Sequence, residues 1–154
     1  MFHIPDFFNK PLEVLSIPNF LSSSEIFDIL EGIKNTKHKR ADIIANNHNY
    51  RSSNVKWIPN TDEWDWLRNK IFSQTQVINS ENYRFEIFPN QLGTLQYTEY
   101  NSAQKDHYDW HLDIGPNTAS HRKISIVIQM MFKFYLLVKQ FQKELIVKLV
   151  MELF

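Results

Sequence analysis

Apolar residues near the start of the chain repeat at helical spacing. They are Ile26, Ile29, Leu30 and Ile33, which fall on one face of a helix. Ser22 precedes them and Glu25 follows Ser22 by three positions, the spacing of a capping box. The pattern therefore predicts a helix within 19–35. The basic stretch 34–40 is predicted to be a solvated exit from this helix.

A second helix is predicted from Asn60 or Thr61 onward. Asp62 and Glu63 would stand in its first turn, where negative charge favours the helix dipole. An apolar stripe then repeats at helical spacing and is predicted to be buried: Trp64, Leu67 and Ile71.

Five other segments are predicted to be β-strands. They are residues 50–58, 83–88, 94–100, 108–114 and 123–130. Pro89, Asn90 and Gly93 punctuate the second and third of them as a hairpin. Within these strands Trp57 and Trp110 are predicted to pack as core. Helices followed by strands indicate an α+β domain, in which the helices support one face of a largely antiparallel sheet.

Composition limits the possible classes of function. The 154 residues carry 17 basic and 17 acidic side chains and no cysteine. Balanced charge argues against a general nucleic-acid binder, and the lack of cysteine excludes disulfides and thiolate zinc sites. The chain has neither a signal-peptide start nor an apolar run long enough for a membrane span. We therefore expect a single cytoplasmic domain with no membrane span.

Candidate metal chemistry lies in His111 and Asp113. On a strand, residues i and i+2 project from the same face, so an imidazole and a carboxylate can converge on one ion. They would supply two of the three ligands of a 2-His-1-carboxylate iron site. His107 would lie about 13 Å from His111 along the strand, too far to share the ion, and is predicted to be a solvent-facing loop or strand-edge histidine. His121 is predicted to be a turn histidine.

Several motifs together resemble the prolyl 4-hydroxylase-like group of Fe(II)/2-oxoglutarate dioxygenases. In chain order they are Ile17-Pro-Asn-Phe-Leu21, Arg51-Ser-Ser-Asn-Val-Lys-Trp-Ile58, Leu95-Gln-Tyr-Thr-Glu-Tyr100, Tyr108-Asp-Trp-His-Leu-Asp113 and Arg122-Lys-Ile-Ser-Ile-Val-Ile-Gln129. The resemblance implies a double-stranded β-helix (jelly roll) with supporting N-terminal helices. It implies Fe(II) and 2-oxoglutarate as cofactors, with ascorbate as an accessory.

The same resemblance suggests roles for individual residues. It implies that His111 and Asp113 are iron ligands and that Tyr100 and Tyr108 hold 2-oxoglutarate or shape its pocket. The alternative for both tyrosines is that they are core aromatics on an inner sheet face. Arg51 matches a strand near the substrate entrance and is implied to bind substrate.

The C-terminal segment departs from the family's pattern. The family continues with an Asp- and Gly-rich loop, a distal histidine and a basic residue that anchors 2-oxoglutarate. Here the last Gly is Gly115, and His121 is the only histidine after Asp113. We therefore expect residues 1–129 to be an incomplete dioxygenase domain and residues 130–154 to be an atypical amphipathic tail. Phe134, Leu137, Val138, Phe141 and Leu145 fit helical spacing in that tail. The tail is interpreted as a helix over the open sheet, a partner- or membrane-surface helix, or an out-of-frame extension.

Three functions follow from these patterns. The first is an oxidoreductase that hydroxylates a C–H bond with O₂, giving succinate and CO₂, on a peptidyl prolyl or small-molecule acceptor. The second is a truncated, inactive domain that acts at most as an interaction module. The third is a two-ligand metal-binding protein without oxygenase chemistry.

Overall fold

The computed structural model describes residues 14–37, 39–40, 50–89, 92–110, 123–131 and 145–153. Its helices are α1 (Ser23–Gly32) and α2 (Asp65–Ile78), with 3₁₀ turns at Asp62–Trp64 and Ser102–Gln104 and a π-helical turn at Asn79–Tyr83. Its strands are β1 (Lys39–Arg40), β2 (Arg51–Ser52), β3 (Asn54–Ile58), β4 (Leu95–Asn101), β5 (His107–Tyr108), β6 (Ile124–Met131) and β7 (Leu145–Leu153).

The strands form two small antiparallel sheets. The larger has the order β1-β3-β4-β7-β6, and the smaller pairs β2 with β5. Every strand pair is antiparallel. The predicted combination of helices with a largely antiparallel sheet is confirmed at this level.

Helix α1 begins with the capping box that the sequence predicted. The Ser22 backbone N–H donates to Glu25 Oε2 at 2.7 Å, and the Glu25 N–H donates to Ser22 Oγ at 3.2 Å. The other oxygen of that carboxylate accepts from Lys70 Nζ at 2.5 Å, which ties α1 to α2. The helix ends at Gly32, where a Cβ atom would lie 2.8 Å from the Trp64 ring. A glycine is needed there because the ring packs against the backbone.

The hydrophobic core lies between the two helices and one face of the larger sheet. It contains Leu21, Ile29, Ile33, Ile58, Trp64, Leu67, Ile71, Leu95, Tyr97, Ile128 and Met130. The stripe predicted for the second helix is confirmed, since Leu67 and Ile71 of α2 and Trp64 at the end of the preceding 3₁₀ turn are all buried. The stripe on α1 is confirmed in the same way, although Ile26 and Leu30 are only partly buried.

The stretch after α1 is exposed at Lys34, Asn35 and Lys37, as predicted for a solvated exit, and its end adds a short strand that the sequence did not predict. Lys39 and Arg40 form β1 and pair with Val55 and Asn54 of β3. From the same strand the buried side chain of Lys56 donates to the Ile33 carbonyl at 2.8 Å. Because α1 has no basic residue in its last turn, this ammonium supplies the positive charge that favours a helix C-terminus.

The strand predicted over 83–88 is wrong, and so is its hairpin. Its first residue ends the π-helical turn that follows α2, and Arg84 adopts a left-handed conformation with φ 57°. The Asn79 side chain forms hydrogen bonds with both backbone polar groups of Phe85. It donates to the Phe85 carbonyl at 2.7 Å and accepts from the Phe85 N–H at 2.9 Å. Since these groups are occupied by a side chain, they do not enter a β-ladder.

The tail joins the larger sheet through its last strand. β7 lies between β4 and β6, with Tyr97 opposite Leu149 on one side and Ile128 opposite Leu149 on the other. The helical spacing predicted to reach Leu145 is therefore wrong from that residue on. The β-branched residues Ile146, Val147 and Val150 favour a strand in this position. Residues 132–144 lie outside the described part of the chain. Within that part, no helix is long and apolar enough to cross a membrane.

Candidate functional site

Both predicted iron ligands lie beyond the residues that the structure describes. His111 and Asp113 follow directly after the described range 92–110. His121, the predicted turn histidine, also lies outside the described residues, as do His3, His38 and His48. No group of three His, Cys, Asp or Glu side chains that could hold a metal ion occurs among the described residues.

The strand predicted over 108–114 is shorter in its described part. It covers His107 and Tyr108 as β5, while Asp109 and Trp110 are outside any strand. Within the described residues the strand thus ends at Tyr108, and the placement of His111 and Asp113 on one strand face stays a prediction.

Arg51 and Tyr108, two of the predicted site residues, are in direct contact. They are register partners in the β2–β5 pair, and the Arg51 guanidinium carbon stands 4.5 Å from the centroid of the Tyr108 ring. Arg51 Nε also donates to Ser53 Oγ at 2.9 Å, and Ser53 is fully buried. The contact between Arg51 and Tyr108 is a cation–π interaction. The hydrogen bond from Arg51 Nε to Ser53 Oγ holds the guanidinium in this position.

Tyr100, the third predicted residue, belongs to the same electrostatic environment. It is half-buried near the end of β4. Burial raises the pKa of its hydroxyl; the charge of Arg51 opposes this rise, whereas Tyr108 and Asp106 add to it. The structure thus places Tyr100 within electrostatic reach of Tyr108 and Arg51, which are in direct contact with each other. Neither tyrosine is a fully buried core residue.

A tight turn connects β4 to β5 and holds this cluster in place. The Asp106 carboxylate accepts from Ser52 Oγ at 2.5 Å and from the Asn101 N–H at 3.0 Å. Asn101 Oδ1 accepts from the Ala103 N–H at 3.0 Å, and Lys105 turns the chain with φ 55°. These bonds fix the distance between the strands that carry the two tyrosines.

Tyr50 is a residue that sequence reasoning missed. Its ring meets the Tyr108 ring edge-on at 5.7 Å between centroids. Its carbonyl accepts from the Asp109 N–H at 3.0 Å, and its hydroxyl donates to the Trp110 carbonyl at 2.9 Å. No local sequence signal announces this role, because it depends on pairing between segments that are 60 residues apart.

The two tryptophans predicted to be core are both exposed. Trp57 is 48% exposed and Trp110 is 101% exposed. Trp57 stands between Lys56 and Ile58, whose side chains point into the protein, so strand alternation turns the indole to the opposite face of the sheet. Trp110 follows the end of β5 and is not held by a ladder. His107 is exposed on β5, which agrees with its prediction as a strand-edge histidine.

Arg51 offers a cation, and Tyr100 and Tyr108 offer phenol hydroxyls. Trp110 adds an exposed indole directly before His111 in the sequence. Such groups bind carboxylates and apolar side chains through charge-assisted hydrogen bonds and ring contacts. Comparison with known proteins adds no further constraint. No protein-family model matches the chain, and no curated protein or solved structure matches it significantly.

Proposed function

We propose that the chain is an oxidoreductase of the Fe(II)/2-oxoglutarate dioxygenase type that hydroxylates a C–H bond. The single observation that carries the proposal is the cluster of Arg51, Tyr100 and Tyr108, described above, directly upstream of the His111-x-Asp113 motif. Tyr108 precedes His111 by three positions, so their Cα atoms are at most about 11 Å apart. Arg51, Tyr100 and Tyr108, which match motif positions of one family, thus belong to a cluster that stands within a short length of chain from the His111 position.

The proposed donor set fits ferrous iron in its chemistry. His111 offers an imidazole nitrogen and Asp113 a carboxylate oxygen, the two ligand types of non-haem iron oxygenases. When bound, iron with 2-oxoglutarate and O₂ supplies the oxidant for the hydroxylation, with succinate and CO₂ as the products of the cosubstrate. Two protein ligands hold the ion less tightly than three, so we propose weak iron binding.

The tyrosines would bind and orient the cosubstrate. A tyrosine hydroxyl keeps its proton at neutral pH, and burial raises the pKa of Tyr100 further, so this group can donate a hydrogen bond to a carboxylate. Tyr108 is held by the Arg51 guanidinium at 4.5 Å, which limits the rotation of its ring. Arg51 itself presents positive charge toward an acceptor with carbonyl or carboxylate groups, so its proposed role is substrate binding.

A jelly roll would place these groups on the sheet face away from the helices. Leu95 and Tyr97 point from β4 into the helix-covered core, so Tyr100 belongs to the alternate face. Trp57 of β3 is opposite Gln96 in the register and shares that face. We propose that this face lines the substrate cavity and that the exposed Trp57 indole contacts the acceptor, a prolyl peptide or a small molecule.

The test is 2-oxoglutarate-dependent succinate formation by the whole chain with added Fe(II), O₂ and ascorbate. Because it has lost a proposed iron ligand, His111→Ala should fall to the level without enzyme, whereas His107→Ala, which alters an exposed histidine on β5, should retain wild-type turnover. Background turnover by the wild type would refute the oxygenase proposal. If the wild type still bound the metal, the result would favour a simple metal-binding protein. If it bound none, an inactive interaction module would be favoured.

A further inference from the structure

The two outer strands of the larger sheet differ in how their free edges are protected. On one side lies β1, which has only two residues, Lys39 and Arg40, and both are charged. Short length and positive charge are two means by which proteins prevent an edge strand from pairing with another chain. On the other side lies β6 (Ile124–Met131), which has eight residues and, within the described part of the chain, pairs only with β7.

The β6 strand has none of these protective features. Its sequence is Ile124-Ser-Ile-Val-Ile-Gln-Met-Met131, which contains no charged residue, no proline and no glycine. Three β-branched residues form its centre, and such residues favour strand pairing. Alternate residues of a strand direct their N–H and C=O groups to the same edge, so about four residues of β6 point these groups away from β7. We therefore expect this edge to be covered by another strand.

Apolar surface continues from the β6 edge on the side of the sheet that carries the helices. A cavity of about 870 Å³ lies along β6, and its lining includes Val14, Leu15 and Ile17. All three side chains are exposed. On the other face of the sheet, Val127 at the middle of β6 is 54% exposed. Contiguous apolar surface of this kind is typical of a protein–protein contact.

We infer that β6 pairs with β6 of a second copy of this chain, antiparallel and about a two-fold axis at Val127. Val127 then lies opposite Val127 of the second copy and Ile126 lies opposite Ile128, so paired side chains share a face of the sheet. The charge nearest to the strand, Lys123, lies opposite position 131. The two lysines are then about 26 Å apart along the strands, beyond the range of strong repulsion at physiological salt.

The two-fold axis explains why the pairing stops at a dimer. An axis perpendicular to the sheet keeps both helix layers on one side, so the two cavities face each other and each copy covers apolar side chains of the other. The free edge of β6 is used up, and the protected strand β1 stands at both ends of the joined sheet. One strand pair with an apolar rim buries less than about 1,200 Å². We therefore expect a dissociation constant on the order of 10 µM.

Analytical ultracentrifugation of the full chain, over concentrations that bracket this value, compares the wild type with Val127→Lys and Val77→Lys. Both variants replace a half-exposed valine, 54% exposed at Val127 and 50% at Val77, but Val77 lies on α2. Val127→Lys places two like charges directly opposite each other and should weaken the dimer about tenfold. Val77→Lys should dimerise as the wild type does. Both should keep the wild-type circular dichroism spectrum, because neither valine belongs to the core.

A charge swap at the same position tests the register. Val127→Glu should weaken the dimer as Val127→Lys does, because two carboxylates then meet at the axis. An equimolar mixture of the two variants should form a heterodimer about as tight as the wild-type dimer, since lysine then faces glutamate. Only residues that lie opposite each other restore binding in this way.

Four results would overturn the inference. A wild type that stays monomeric over the whole range would leave the edge to residues outside the described part of the chain or to a different protein. Dimerisation that is equal in the wild type and Val127→Lys would place the contact elsewhere. Assemblies larger than a dimer would contradict the two-fold axis. A mixture of the Lys and Glu variants that stays monomeric would refute the register at Val127.

Discussion

Replacing Arg51 by Gln should destabilise the protein through two contacts that can be separated. Arg51 bonds the buried Ser53 hydroxyl at 2.9 Å and stacks over Tyr108 at 4.5 Å. The hydrogen bond contributes about 1 kcal/mol, and a half-buried cation–π contact contributes about another 1 kcal/mol. We therefore expect Arg51→Gln to lower the free energy of unfolding by about 2 kcal/mol.

A double-mutant cycle with Tyr108→Leu isolates the ring contact. The loss of the bond to Ser53 is common to both Arg51→Gln backgrounds and cancels. Urea unfolding of the four proteins should give a coupling free energy of about 1 kcal/mol between Arg51 and Tyr108. The control cycle pairs Arg51→Gln with Tyr83→Phe, and its coupling should be near zero. A coupling below about 0.3 kcal/mol in the first cycle would show that Arg51 and Tyr108 are neighbours without interaction, and the reasoning about the cluster would fail.

Three further predictions concern the helix ends and a tyrosine of the cluster. Lys56→Met should lower the free energy of unfolding by about 1–2 kcal/mol, because the helix C-terminus at Ile33 loses its charged donor. Ser22→Ala should cost about 1 kcal/mol in urea unfolding because it removes an N-cap, whereas Ser23→Ala should be neutral. The raised pKa of Tyr100 means that its neutral form favours the folded state. That contribution is complete below about pH 10 and is lost as the pH rises through the folded-state pKa. The phenolate absorbance difference between wild type and Tyr100→Phe should therefore titrate above pH 10.

A specific result would contradict each of these three predictions. For Lys56, the control is Lys34→Met, because Lys34 is exposed beside Glu31 and such a surface pair contributes little. A Lys56→Met protein as stable as wild type would mean that burying the ammonium costs as much as its bonds return. Equal destabilisation by Ser22→Ala and Ser23→Ala would contradict the capping role. A Tyr100 titration at or below pH 10 would contradict its burial beside Tyr108.

Local patterns predicted the helical half of the fold well. The Ser22–Glu25 box and the Trp64, Leu67 and Ile71 stripe depend on neighbours within two helical turns, and both are found. The alternation over 83–88 failed because the Asn79 side chain outcompeted a β-partner for the backbone of Phe85. A strand needs both the right pattern and an available partner, and only the pattern is visible in the sequence.

For the candidate site, the sequence predicted which residues to consider but not which of them lie close together. Arg51, Tyr100 and Tyr108 match motif positions in the sequence, whereas the β2–β5 pairing that brings Arg51 to Tyr108 is a long-range property. Tyr50 carries no motif signal, and its contacts exist only because that pairing extends one residue past the strand. Trp57 is exposed although its apolar character predicts burial, because strand alternation determines which face a side chain occupies.

The central claim is tested most directly by measuring 2-oxoglutarate binding to the whole chain with and without Mn(II). Equilibrium dialysis measures binding without turnover, and Mn(II) is a divalent ion that accepts carboxylate and water ligands. The account predicts that 2-oxoglutarate binds only when Mn(II) is present and that His111→Ala abolishes this binding. Metal-independent binding, or binding that survives in His111→Ala, would contradict an iron site at His111 and Asp113.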